Sequence, residues 1–140
     1  WTPYYDRKMW NKNVVSVGLS AGFIEPLEST GLMLAMEGIY SLCKRIYKNL
    51  YNDNDQDYYN NHMKMFYENS IDFVNMHYLV SKRKGIFWER ARQLKPSGRF
   101  NIYKKNILDK SYHDLKEADV FNDTDCFTFN SWFCWLKQTL

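Results

Sequence analysis

A chain of 140 residues, 45% apolar and 25% charged, has the makeup of one globular domain or part of a larger one, which excludes intrinsic disorder. A formal charge of +3 is too weak to indicate nucleic acid. The longest apolar run, around Gly31 to Tyr40, is too short to span a bilayer. Three cysteines without a CxxC pair, and no visible signal peptide, make a reducing, cytoplasmic setting the expectation.

Residues 1–12 are polar and aromatic, with Pro3 and no clear period. Asn13 to Gly18 is β-branched and nearly uninterrupted, which predicts a short buried strand stopped by glycine. A compact loop with Gly22 and Pro26 follows, and Glu25, before the proline, is biased towards an extended conformation. A helix is predicted to begin near Ser29 or Thr30, both good N-cap types. Leu32 to Met36 are apolar almost all round, the pattern of a helix buried on most sides. Lys44, Arg45 and Lys48 suit its C-terminal turn.

Asp53, Asp55 and Asp57 alternate as in a calcium loop, but the sixth position is Tyr58 and the twelfth Lys64, so the stretch reads as a solvated turn. A long helix is predicted from about Asp57 to Val80, with Tyr59, Met63, Phe66, Ser70, Phe73 or Val74, and His77 on one core-facing stripe. The basic run Lys82-Arg83-Lys84 suits a solvated helix end as well as a phosphate site, and Gly85 breaks it. Phe87 to Arg92 starts a short helix ended by Pro96-Ser97-Gly98. Tyr103 to Val120 reads as helical, and so does the tail from Phe127, by the spacing of Trp132, Trp135 and Leu136.

The predicted strand, loop and helix form one local unit. Ligands of sheet proteins often bind beyond a strand's C-terminal end, facing a helix N-terminus. Free N–H groups at Ser29, Thr30 and Gly31 would favour an anion there, and Gly31 would let it come close. An ordinary capped core helix accounts for the same pattern. Glu28, a carboxylate beside a buried helix, is costly unless exposed, paired or used, and could serve as a proton acceptor. Glu25 is the competing carboxylate.

Gly18-Leu19-Ser20-Ala21-Gly22-Phe23-Ile24-Glu25-Pro26-Leu27-Glu28-Ser29-Thr30-Gly31 resembles, without a gap, the signature loop of the flavin-dependent tryptophan halogenases. Asp72-Phe73, His77-Tyr78, Arg83 and Phe87-Trp88 are similar to a later helix and its exit in that family. Ser131-Trp132-Phe133-Cys134 is similar to an aromatic pair flanking the indole substrate. The resemblance implies a mainly α chain with a short buried strand at its N-terminal end, the C-terminal part of an α+β FAD-binding monooxygenase-like fold. Residues 1–31 would end the FAD-binding core, and residues 32–140 would form a helical substrate-side region.

The resemblance further implies that reduced FAD, supplied by a separate flavin reductase, and oxygen convert halide to hypohalous acid. That acid would reach tryptophan, or another electron-rich aromatic, through an internal tunnel. Glu28 would be catalytic. Ser20, Ala21, Gly22 and Ser29 would contact the cofactor, Thr30 and Gly31 the halide, and Trp132 and Phe133 the substrate ring. No metal, nucleic acid or membrane is implied, and a homodimer is compatible with the pattern. The family's Gly-x-Gly-x-x-Gly fingerprint, its Trp-x-Trp-x-Ile-Pro motif and its catalytic lysine are not among these residues, and Lys44, Lys48 and Lys64 stand in no context that would replace that lysine. The expectation is therefore a C-terminal fragment that is inactive alone. By this reading it folds poorly, since Val14 to Val17 would want absent neighbouring strands. A flavin monooxygenase-like enzyme without halide chemistry, and an inactive helical remnant acting as an interaction module, are the alternatives.

Overall fold

A computed structural model describes residues 3–95, 97–109, 114 and 126–139. The described residues are mostly helical, with four two-residue strands, and the chain divides into two compact units, Trp1–Ser70 and Ile71–Leu140.

In the first unit, β1 (Tyr4–Tyr5) pairs antiparallel with β4 (Gly22–Phe23), and β2 (Trp10–Asn11) pairs antiparallel with β3 (Val14–Val15). The expected buried strand from Asn13 to Gly18 is thereby corrected. Only Val14–Val15 is strand, and Val14 is 63% exposed. Lys12, at φ 56, helps to turn the chain back, so that Trp10 stands opposite Val15. The hairpin's missing neighbour is supplied by side chains. The Asn60 amide accepts from the Trp10 N–H at 2.7 Å and donates to the Trp10 carbonyl at 2.9 Å, while Gln56 accepts from the Lys12 N–H at 3.0 Å. These amides satisfy strand-edge groups that would otherwise need another strand.

Helix α1 spans Thr30–Tyr47, starting where the sequence predicts, and α2 spans Asp53–Leu79. The unit boundary falls inside α2. That helix begins four residues earlier than expected because Asn52 and Asp55 cap it reciprocally. The Asp55 N–H donates to Asn52 Oδ1 at 3.1 Å, and the Asn52 N–H donates to Asp55 Oδ2 at 3.2 Å. Tyr59, Met63, Phe66, Ser70, Phe73 and Val74 are buried as their spacing predicts, while His77 is only half-buried. Tyr59 donates to the Gly38 carbonyl at 3.3 Å, and burial, followed by the nearby Glu37 charge, pushes its hydroxyl up to about 12.

The expectation that α1 is buried on most sides is corrected. Leu34, Gly38 and Ser41 are buried, but Leu32, Met36, Ile39 and Tyr40 are each more than half exposed. An all-apolar stretch carries no phase, so the sequence could not say which face α2 and the loop before α1 cover.

The second unit holds α3 (Ile86–Ala91), α4 (Gly98–Asp109), α5 (Phe129–Thr139) and the last turns of α2. Ser97 caps α4. Its hydroxyl accepts from the Phe100 N–H at 3.0 Å and donates to Asp72 at 2.6 Å. This cap explains why the helix starts at Gly98 rather than near Tyr103. Its predicted continuation from Lys110 to Val120 lies outside the described residues apart from Asp114. Phe73 stacks on Phe127 with centroids 3.8 Å apart, and Trp132 meets Phe73 and Tyr103 edge-on. The basic run after α2 is partly structural. Arg92 donates to the carbonyls of Ser81 and Arg83 at 2.8 and 2.9 Å, and the Arg83 guanidinium lies 5.1 Å from the Trp88 ring. Among the described residues no helix is long and apolar enough to cross a membrane.

Candidate functional site

The loop between β3 and α1 is held by bonds within itself and by bonds to the β1 segment. Gly18, at φ 63, opens a 3-10 turn over Gly18–Ser20. The Ser20 hydroxyl accepts from the Val17 N–H at 3.0 Å and donates to the Val17 carbonyl at 2.9 Å. The Ala21 carbonyl accepts from the Asp6 N–H at 2.8 Å, and Ala21 is 2% exposed. A Cβ at Gly22 would stand 2.7 Å from both the Tyr4 carbonyl oxygen and a Tyr67 ring carbon, so only glycine lets β1, β4 and α2 approach this closely.

The next segment is conformationally unusual. Glu28, at φ 50 and ψ 31, and Ser29, at φ 61 and ψ 26, are consecutive left-handed residues, and neither is glycine. Such residues cost on the order of 1–3 kcal/mol each and gather at ligand clamps and active sites. Sequence reading found both residues but not this strain, since Glu and Ser carry no left-handed signal of the kind Gly or Asn gives.

The pair is held from below. The Ser29 N–H donates to the Pro26 carbonyl at 3.3 Å, the Thr30 N–H donates to the Leu27 carbonyl, and the Thr30 hydroxyl donates to the same Leu27 oxygen. This corrects the expectation of three free N–H groups at Ser29, Thr30 and Gly31, because two of them close turns within the loop. Ser29 makes no side-chain cap bond either. Gly31 remains approachable. It is exposed, and nothing stands within 4 Å of where its Cβ would be.

A cavity of about 400 Å³ lies against this segment, lined by Gly22, Phe23, Ile24, Pro26, Ser29, Gly31 and their neighbours. Three of the predicted site residues, Gly22, Ser29 and Gly31, therefore meet in one largely apolar concavity. Ser20, Ala21, Glu28 and Thr30 are not in its lining. Ala21 and Thr30 are buried beneath the loop, and Glu28 is exposed outside the cavity. Phe23, Ile24, Pro26 and Leu32 are lining residues that the residue-by-residue reading did not single out, and the exposed Leu32 is the one with a signal of its own, an apolar residue left uncovered.

Trp132 and Phe133 belong to the second unit. Trp132 is 1% exposed, with its ring 5.1 Å from Phe73 and 5.3 Å from Tyr103, so it is part of that unit's core. Phe133 is half-buried, and the neighbouring Trp135 meets His77 at 4.0 Å. Among the described residues no cluster of three His, Cys, Asp or Glu could hold a metal.

Residues 2–137 match the family profile described as tryptophan halogenase. A tryptophan 7-halogenase of Kutzneria sp. (strain 744) is 34% identical over 89 residues, which cover 63% of this chain and 17% of that protein. A tryptophan 6-halogenase of Streptomyces albogriseolus is 33% identical over 91 residues, again 17% of its length. Among solved structures, a flavin-dependent halogenase from Brevundimonas sp. BAL3 superposes with a TM-score of 0.78 at 27% identity, over 95% of this chain and 26% of the other. A thermophilic tryptophan halogenase gives the same TM-score and identity over 94% of this chain.

Proposed function

The chain belongs to the tryptophan halogenase family, and on that ground we propose that it is part of an FADH2-dependent enzyme that oxidises halide and halogenates tryptophan or another electron-rich aromatic. In this reading residues 1–31 end an α+β FAD-binding core, and residues 32–140 form the helical region against the substrate. The observation that carries the proposal is the left-handed pair Glu28–Ser29 beside the 400 Å³ cavity. Ser29 is in the cavity lining and Glu28 is not, so neighbouring residues serve different surroundings. A strap linking a cofactor side to a substrate side requires that division.

Reduced FAD, when bound, supplies the oxygen-activating chemistry that turns halide into hypohalous acid. The cavity fits the edge of a flat ring system. Its lining is largely apolar, and the Gly31 backbone can be approached without steric obstruction. Ser29 and Gly22 would touch that edge, while Ser20 and Ala21 would fix the loop behind it. Gly31, supported by the buried Thr30, would present the halide with neutral backbone rather than a lysine that the oxidant could consume. Glu28 would stabilise the cationic ring intermediate and accept its proton. Phe133 has surface to offer a substrate ring, and Trp132 would support it from the core. A separate flavin reductase, a cytoplasmic location and a homodimer belong to the same proposal.

These 140 residues contain no Gly-x-Gly-x-x-Gly loop to hold the nucleotide end of FAD. Titration of the purified chain with FAD is therefore expected to show weak binding, with half-saturation above about 100 µM, and sub-micromolar binding would contradict the half-site reading.

A further inference from the structure

A second cavity, of about 310 Å³, opens between the C-terminal part of α1 and the start of α2, apart from the loop described above. Lys44, Arg45 and Lys48 bring three cations to it, together with Ser41, Tyr58 and His62. Its one lining carboxylate, Glu37, is already engaged by His62 Nε2 at 2.8 Å.

The Arg45 guanidinium is held in place by an aromatic ring and a loose ion pair. It lies 4.1 Å from the Tyr58 ring centroid, and its contact with Asp55 Oδ1 is 3.7 Å, well beyond a charge-assisted hydrogen bond. Asp55 is occupied elsewhere, since its other oxygen accepts from the Asn52 N–H in the α2 cap. Arg45 Nε is buried and has no hydrogen-bond partner among the described residues. Cations in a last helical turn also suit the helix C-terminus. That role explains their presence, but not their gathering round an open cavity whose one lining carboxylate is already engaged.

We propose that this cleft binds a phosphate group, as the free anion or as the end of a small phosphomonoester. Lys44 and Lys48 would supply mobile ammonium groups, Arg45 a fixed planar donor, and Ser41, 7% exposed, a hydroxyl. The cavity is larger than a bare phosphate needs and sits at the lower end of the range for small organic ligands.

The test is amide NMR of the FAD-loaded holoenzyme that contains this chain, titrated with inorganic phosphate and, separately, with adenosine monophosphate, with ionic strength held constant by sodium chloride. Saturable shifts over residues 41–48 are expected, with half-saturation below about 1 mM. Tighter binding of the nucleotide would identify the ester as the ligand, and equal binding the bare anion. Lys44 and Lys48 are both exposed, so the K44Q/K48Q double variant is expected to unfold at the parent temperature while its half-saturation rises about tenfold or more. The single variants K44Q and K48Q should fall between. Shifts that grow linearly without saturation for both probes, or an undiminished response in the double variant, would overturn the proposal.

Discussion

Glu28→Gln, made in the holoenzyme that contains this chain, is expected to lower halogenated product by about 10²- to 10⁴-fold, the range set by losing a positioned proton acceptor. Oxidation of reduced flavin should continue at close to the parent rate, because Glu28 is not in the lining of the cavity assigned to the cofactor. Glutamine keeps the size and polarity of the side chain and leaves the left-handed backbone equally strained, so what is removed is the charge. The two readouts are measured side by side, as product by mass spectrometry and as flavin absorbance after mixing with oxygen. A variant that halogenates at the parent rate would remove Glu28 from the mechanism. One that loses both readouts together would mean that the loop has collapsed.

Trp132→Ala is expected to cost about 3–5 kcal/mol of stability, the usual range for truncating a buried tryptophan. The ring is 1% exposed and packed edge-on against Phe73 and Tyr103. A melting temperature lowered by about 10 °C would accompany that loss. Phe133→Ala removes a half-buried ring and is expected to destabilise less while weakening substrate binding more. The pair of variants therefore separates support from contact. If Trp132→Ala left the melting temperature unchanged and raised only the substrate KM, Trp132 would itself be the contact, and its burial would have no energetic meaning.

What could be read from the residues alone followed the physics of each element. Helix α1 begins at Thr30 as expected, although Ser29 makes no cap bond and the Thr30 hydroxyl instead closes on the Leu27 carbonyl. The stripe from Tyr59 to Ser70 is buried as its spacing requires. Elsewhere the local pattern carried less than it promised. Val14 to Val17 have the composition of a buried strand, yet a hairpin two residues wide uses the same β-branched residues and leaves Val14 largely exposed. The Asn60 and Gln56 amides that replace its missing neighbour lie more than forty residues away in sequence, where no local reading could place them. Asp53 to Asp57 read as a turn because Asp and Asn favour turns and caps alike, and only the reciprocal Asn52–Asp55 bonds decide for the cap.

The candidate site divides in the same way. Gly31 was legible as a point of close approach, Gly22 and Ser29 came from the family resemblance, and the fold gathers the three round one cavity. The supposed supply of free N–H groups was not legible, because whether a helix's first donors are free depends on the preceding carbonyls, and here Pro26 and Leu27 take two of them. The halide contact proposed for this loop accordingly falls mainly to Gly31. The aromatic pair near the C-terminal end was legible as aromatic, but the pattern did not say which ring faces inward.

The most direct test of the account is product analysis of the holoenzyme that contains this chain, supplied with reduced FAD, oxygen, bromide and tryptophan. A singly brominated tryptophan, carrying the paired isotope masses of bromine, is the result expected of a halogenase strap. Complete oxidation of the flavin, with hydroxylated product or none and no brominated species, would contradict it.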